Sequence, residues 1–363
     1  MVAPKLRFQE FDDAWSNSKI DDIAVVTSGG TPSRSNLTFW DGNIPWVTTS
    51  LVDFNIIQSA EEFITQKGLD NSSAKLFPKN TILMAMYGQG ITRGKVAILG
   101  IDATTNQACA AIKLQSNYDT QFIFQNLMSR YEEIRDLSND GGQKNLSAGI
   151  IKEIEVYYPE KTEQIKIASF LSVVDEKISQ LTQKLELLSQ YKQGMMQKLF
   201  SQQLRFKADD GSEFGEWEGK ELHQIFQIKA GGDIEKSSVS EVRTSEFSYP
   251  IFANSDKNKG FYGWANKFKY KEAVTVTGRG NLGIAVARNE PFYPIVRLLV
   301  LLPLVKQNLK FFEEQINLLD IVSESTGVPQ LTAPQLSKYK VNVPSLEEQT
   351  KIANFLSSID QKI

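Results

Sequence analysis

The sequence has one cysteine, Cys109, and one histidine, His223. A lone cysteine excludes an internal disulfide and any Cys-rich zinc site. A lone histidine cannot supply an HExxH pair or a two-histidine metal triad. Cys109 sits in an alanine-rich run (Ala108, Ala110, Ala111) and reads as a buried, inert thiol; His223 reads as an ordinary structural or surface residue. No apolar run approaches the roughly 20 residues that a membrane span needs. The longest, Leu298 to Leu304, is broken by Pro303 and reads as a buried strand. Met1 opens no signal-peptide pattern, and a reduced, cytoplasmic setting fits these absences. Charge of one sign is lacking too. The chain carries 40 Lys+Arg against 43 Asp+Glu, a net charge of -3. That total argues against nucleic acid as a partner.

What the chain does have is a repeat. Its 363 residues, 41% of them hydrophobic, suffice for two ordinary domains and a connector. Pro159 to Ile178 reads PEKTEQIKIASFLSVVDEKI and Pro344 to Ile363 reads PSLEEQTKIANFLSSIDQKI, sharing 12 of 20 residues at an offset of 185. The match runs backward without a gap: Leu146-Ser147-Ala148 lies opposite Leu331-Thr332-Ala333, and Val156 opposite Val341. The starts of the copies correspond as well. Leu6-Arg7-Phe8 pairs with Leu204-Arg205-Phe206, and Trp15, Gly29 and Gly30 pair with Trp217, Gly231 and Gly232. Between these anchors the copies diverge, so each is a variable body followed by a well-matched helical tail.

The tail carries a heptad seam. From Ile167, apolar residues fall at Leu171, Val174, Ile178, Leu181, Leu185, Leu188, Met195 and Leu199, and copy two begins alike with Ile352, Leu356, Ile359 and Ile363. Pro344 and a Ser345-x-x-Glu348 capping box mark the second helix start. Residues 161 to 199 as one helix would span about 58 Å. Such a stripe packs on a neighbour helix, and the expected neighbour is the other copy, antiparallel. Ser179 to Gln203 have no counterpart after Ile363. Either the natural chain is longer, or another protein or chain is expected to cover Leu185 to Leu199.

The bodies read as mixed strand and helix. Thr81 to Met86, Lys95 to Leu99 and Ala273 to Thr277 read as strands, and Phe122 to Leu137 and Phe311 to Ile321 as helices. Gly278-Arg279-Gly280-Asn281-Leu282-Gly283 is a literal GxGxxG after a strand. A second strand and a loop with Pro291 and Pro294 follow it, so there is no helix N-terminus to hold a pyrophosphate. It reads as a Gly-rich hairpin. Asn289-Glu290-Pro291-Phe292 has Glu where adenine methyltransferases have Pro, and it lacks a cofactor loop upstream. Asp12-Asp13 and Asp21-Asp22 read as solvated pairs. No catalytic constellation remains.

Charge is uneven locally. Thr65 to Ile98 holds five cations against Asp70, and Ser255 to Arg288 holds seven against two acids, leaving the remainder strongly acidic. Both windows surround Gly-rich hairpins and contain aromatic residues. Lys75, Lys79, Arg93 and Lys95 in the first, and Lys257, Lys259, Lys267 and Arg279 in the second, suit phosphates. Gln89, Thr92, Asn254, Asn258 and Asn281 suit base edges, with Tyr87 and Tyr262 as aromatic partners.

Taken together, the chain resembles the specificity (S) subunit of type I restriction–modification systems. The resemblance covers nearly all of it. Its most specific parts are Pro159, Glu163-Gln164, Ile167-Ala168, Phe170-Leu171 and Asp175, matched by Pro344, Glu348-Gln349, Ile352-Ala353, Phe355-Leu356 and Asp360. Ile44-Pro45-Trp46, Tyr249-Pro250-Ile251 and Gly278-Arg279-Gly280 support it. The resemblance implies an α+β chain with two similar target-recognition domains, residues 1–157 and 204–343. Between them lies a long spacer helix over 158–203, and a shorter one follows over 344–363. Each domain would read one half of a bipartite target in double-stranded DNA. The seam residues would set the spacing and dock two modification subunits that use S-adenosylmethionine; restriction subunits, with ATP and Mg, would join through the complex. The chain itself would bind no cofactor or metal and carry no catalysis. On the residues alone two other readings stay open: a coiled-coil adaptor that does not read DNA, and a nucleotide-dependent enzyme using Gly278 to Gly283.

Overall fold

The computed structural model describes residues 4–87, 91–137, 145–321 and 330–363. The chain divides into two compact units, Met1–Ser179 and Gln180–Ile363, each with its own core.

In the first unit the apolar runs become a five-stranded sheet. Its spatial order is Ala24–Ser28, Cys109–Leu114, Ile82–Ala85, Val96–Leu99 and Ile56–Ile57. The first four are antiparallel neighbours and the edge strand is parallel. Ile82–Ala85 is buried throughout, which is why it reads as a continuous apolar run instead of alternating. Cys109 is fully buried on the second strand of this order, and burial pushes its thiol up to about 12. A second sheet holds Trp40–Val47 between Glu62–Ile64 and Ala103–Thr105, with Trp46 parallel to Thr104.

The second unit repeats the plan. Phe226–Ala230, Leu299–Pro303, Ala273–Val276 and Ala285–Arg288 form an antiparallel sheet. In its second sheet, Tyr249–Phe252 runs parallel to Tyr293–Pro294. Pro45 and Pro250 thus occupy the same place, one residue before the residue that opens the parallel pairing. Helices Thr120–Ser129 and Leu309–Ile316 pack on the two main sheets. Asp119 caps the first by accepting from Phe122 N at 2.8 Å, and Asn308 caps the second by accepting from Phe311 N at 3.1 Å. Phe311 and Phe312 are wholly buried; truncating either would cost about 3–5 kcal/mol.

Each unit closes on itself. Ser16–Lys19 pairs antiparallel with Glu155–Tyr158, and Glu218–Glu221 with Lys340–Val343. Arg7 then forks onto Glu163, with Nε donating to Oε1 at 2.7 Å and Nη2 to Oε2 at 2.6 Å. Arg205 does the same to Glu348 at 3.1 and 2.9 Å. Beside each fork a phenylalanine pair meets edge to face, Phe8 with Phe170 and Phe206 with Phe355. The neighbouring glutamines are equally fixed. Gln164 accepts from Asp119 N and donates to Pro159 O, both at 2.9 Å; Gln349 accepts from Asn308 N and donates to Pro344 O, both at 3.0 Å.

The tail is one helix, Lys161–Phe200, of 40 residues, about 60 Å long. Ala168 is buried in the core of the first unit; Leu199 is buried in that of the second, with Met196 and Phe200 packed against it. Leu199 is therefore covered by the chain's own second unit, contrary to the expectation of an outside partner there. The reason is that the helix ends against Leu309–Ile316 and the second tail helix, Leu346–Asp360. Phe200 packs on Phe311, and Lys192 bonds Glu314 at 2.9 Å and Asp360 at 2.7 Å. Further back, Ile178, Leu181 and Leu185 are 57%, 52% and 43% exposed.

Two local expectations are corrected. Phe122 to Leu137 is not one helix, because the chain breaks at Arg130 and resumes as Tyr131–Asp136; the side chain of Arg130 is drawn aside to Glu155 O and Glu133. Ser345 caps the second tail helix by accepting from Glu348 N at 3.3 Å, but the capping box is not reciprocal. Glu348 turns inward to Arg205 and to Trp217, whose Nε1 donates to Oε2 at 3.0 Å.

Candidate nucleic-acid interface

Strand direction gathers loops at one end of each main sheet. In the second unit, Ala230 and Val276 both pair with Leu299. The ends of Phe226–Ala230 and Ala273–Val276 therefore lie beside the start of Leu299–Pro303. Gly231-Gly232, the Gly278 hairpin and Val296-Arg297 converge there. In the first unit, Cys109 pairs with Ala85 and Ala110 with Ser28, which brings Gly29-Gly30, Met86-Tyr87 and Asn106–Ala108 together in the same way.

The Gly-rich segment is a hairpin. Ala273–Val276 pairs antiparallel with Ala285–Arg288. Thr277 holds the turn, its Oγ1 donating to Asn281 O at 2.5 Å and accepting from Ile284 N at 3.0 Å. Gly280 and Gly283 take φ of +69° and +82°, a backbone state that suits glycine. The next element is the strand Ala285–Arg288 and not a helix, so among the described residues no helix N-terminus stands at this turn to cradle a pyrophosphate. Arg279 and Asn281 stand exposed on the turn.

The repeat fixes a counterpart for Arg279. Leu331 N donates to Gly278 O at 2.9 Å, and Leu146 N donates to Met86 O at 3.0 Å. The residues that follow, Arg279 and Tyr87, therefore occupy one position in the two units. Tyr87 is 42% exposed. Gln89 lies outside the described residues.

The other expected contacts divide by place. Lys257, Asn258 and Lys259 are exposed on the turn between Tyr249–Phe252 and Phe261–Ala265. That turn is tied to the hairpin, since Asn281 Nδ2 donates to Asp256 Oδ2 at 2.5 Å. Tyr262, 61% exposed, starts the outward face of Phe261–Ala265. Lys267 lies beyond the far end of that strand, away from the hairpin. In the first unit Lys75 is exposed beside Ala74, which lies against Gly30, while Lys79 precedes Ile82–Ala85 at the end opposite Tyr87.

Several side chains are already engaged. Asn254 is a staple: its Oδ1 accepts from Gly278 N at 2.7 Å and its Nδ2 donates to Val296 O. Lys95 is paired with Asp53 at 2.5 Å and only 14% exposed. Arg93 donates through Nε to Arg135 O at 3.1 Å, and Thr92 is half-buried. Arg288, counted among the cations of its window, faces inward. It stacks 3.5 Å from the Phe252 ring centroid, donates to Thr275 Oγ1 and Lys259 O, and is lowered to about 10 by burial. Among the described residues, no cluster of His, Cys, Asp and Glu is placed to hold a metal, and no helix is long and apolar enough to cross a membrane.

A family model for the type I restriction modification DNA specificity domain matches residues 12–190 and 215–363. The chain belongs to that family. It is 31% identical over 229 residues to the MjaIX type I restriction enzyme specificity subunit of Methanocaldococcus jannaschii, covering 61% of this chain and 52% of that protein. It is 28% identical over 258 residues to a putative type I specificity subunit of Mycoplasma pneumoniae, covering 70% and 69%. This chain thus spans about half the length of the first relative and two thirds of the second. The fold is similar to the crystal structure of a type I restriction–modification S subunit from M. genitalium, with a TM-score of 0.67 at 20% identity, covering 99% of this chain and 93% of that one.

In this member of the specificity family, two further arginines reach the loop end without having been singled out by sequence. Arg34 lies over Trp40 and Trp46, 3.8 and 4.8 Å from their ring centroids, and forks onto Glu62. Trp46 in turn donates to Gly30 O at 2.9 Å. Arg297 is exposed beside Gly231-Gly232. Neither lies in a basic window, so local charge could not flag them; the signal is their position after strand pairing.

Proposed function

We propose that this chain is the DNA sequence-recognition subunit of a type I restriction–modification complex, each unit reading one half of a bipartite target in double-stranded DNA. One observation carries the reading. The arginine forks, the glutamine bonds and the bonds that place the hairpins recur in both units, while the counterpart exposed positions on the hairpins differ, Tyr87 in one and Arg279 in the other. A duplicated frame with unlike tips suits two unlike half-sites. Arg279 would address guanine or phosphate, Lys257 and Lys259 the backbone, and Tyr87 a base face or methyl group. Asn254 supports the reading as a residue that shapes the loops and not as a base reader.

The long helix would set the unread spacing. Ile178, Leu181 and Leu185 supply the half-exposed apolar surface on which two modification subunits would dock. Methyl transfer from S-adenosylmethionine, and ATP- and Mg-dependent cleavage, would belong to the modification and restriction subunits, in the cytoplasm. No reaction is assigned to this chain.

Mapping methylated adenines in a host carrying the chain and its modification partner tests this. The expected result is a two-part motif with an unspecified centre, lost when the chain is deleted. Methylation that continues unchanged without the chain would overturn it.

A further inference from the structure

Val296 and Arg297 are consecutive non-glycine residues in the left-handed region, with φ of +51° and +59°. For a β-branched residue that state is a genuine outlier, and it persists only where the surroundings hold it. Here they do. Val296 N donates to Gly232 O at 3.2 Å, Arg297 N donates to Gly231 O at 3.1 Å, and Val296 O accepts from Asn254 Nδ2. The reversal buries neither of its own two side chains, since Val296 is 49% exposed and Arg297 is exposed as well, between the buried Ile295 and Leu298. It does place the backbone of Arg297 against the hairpin: its carbonyl oxygen lies 3.6 Å from where a Cβ on Gly278 would stand. Arg279 is the next residue. Among the described residues neither arginine has a carboxylate partner. The turn's backbone is held by these bonds, but setting two arginine side chains on abutting loops adds like-charge repulsion with no carboxylate to offset it. An external anion or base edge would repay it.

We propose that Arg297 is a specificity-determining residue of the second half-site, reading a base from the turn that Gly231, Gly232 and Asn254 hold in place. This rests on the DNA-recognition reading above. In the first unit the corresponding turn, before Cys109–Leu114, carries Gln107 and Ala108, so the contact would be peculiar to one half of the target.

The test selects bound duplexes from a randomised DNA pool with the full chain and its modification partner, comparing the parent with Arg297→Gly and Arg297→Ala. Glycine suits a φ of +59°, so Arg297→Gly should melt no lower than the parent and loss of function cannot be blamed on folding. The expected result is lost preference at one base pair of one half-site, about 10- to 100-fold, with the other half-site unchanged. An equal loss on every sequence would reduce Arg297 to a phosphate contact and overturn the proposal, as would unchanged selection. If the parent itself selects no motif, the DNA-recognition reading fails first, and the two failures are told apart.

Discussion

Glu163 and Glu348 are fully buried carboxylates, each held by an arginine from the start of its own unit, 156 and 143 residues away in sequence. A buried charge is tolerated when its oxygens are saturated by a planar fork, and becomes expensive when one partner is removed. Arg205→Ala should therefore destabilise the second unit by about 3 kcal/mol, read as a lower urea midpoint. Arg205→Lys should recover only part of this, because an ammonium cannot fill both oxygens. An unchanged midpoint for Arg205→Ala would show the fork to be dispensable. The sequence displays Leu-Arg-Phe twice, and Glu163-Gln164 matches Glu348-Gln349 across the repeat, but spacing alone does not say that they touch. The environment of the matched tryptophans was equally hidden: Trp217 donates to Glu348, whereas Trp15 Nε1 is buried without a partner.

Among the elements, the strands were the most legible, because Ile82–Ala85 and Ala273–Val276 are short apolar runs between turn residues. The long helix was legible from its seam. Its end was not, since burial of Leu199 depends on a unit that the chain builds later. The break at Arg130 was missed because neither glycine nor proline marks it; of the side-chain bonds that accompany it, the one to Glu155 O is tertiary. Of the candidate DNA contacts, local charge could name Lys257, Lys259 and Arg279. It could not tell that Arg288 points inward or that Lys95 is paired. At the end of the helix Leu346–Asp360, burial opposes ionisation of Asp360, but hydrogen bonds and charge from Lys192 and Lys310 outweigh it and hold the carboxyl below its usual 3.8. A lowered folded value stabilises above the unfolded value and is lost as pH falls through the folded one. Asp360→Asn should thus lower the melting temperature at pH 7, and the gap to the parent should close in acid, as pH falls below the usual 3.8 and through the lowered folded value. A gap that persists there would assign the loss to packing.

For the whole molecule, the first and last strands of each unit pair, so the unit is closed by its own ends. Exchanging residues 1–157 for the matching stretch of a relative with another target should change one half of the methylated motif and leave the other half intact. A change in both halves, seen in the same adenine map, would mean that the two readings are not independent. The pairing of Ser16–Lys19 with Glu155–Tyr158 has a mechanical consequence as well. The chain enters and leaves the unit at neighbouring points, so a longer or shorter loop between them cannot push the helix along its axis. Insertions at the tips are mechanically decoupled from the span that follows, and the tips are free to vary while that span stays constant.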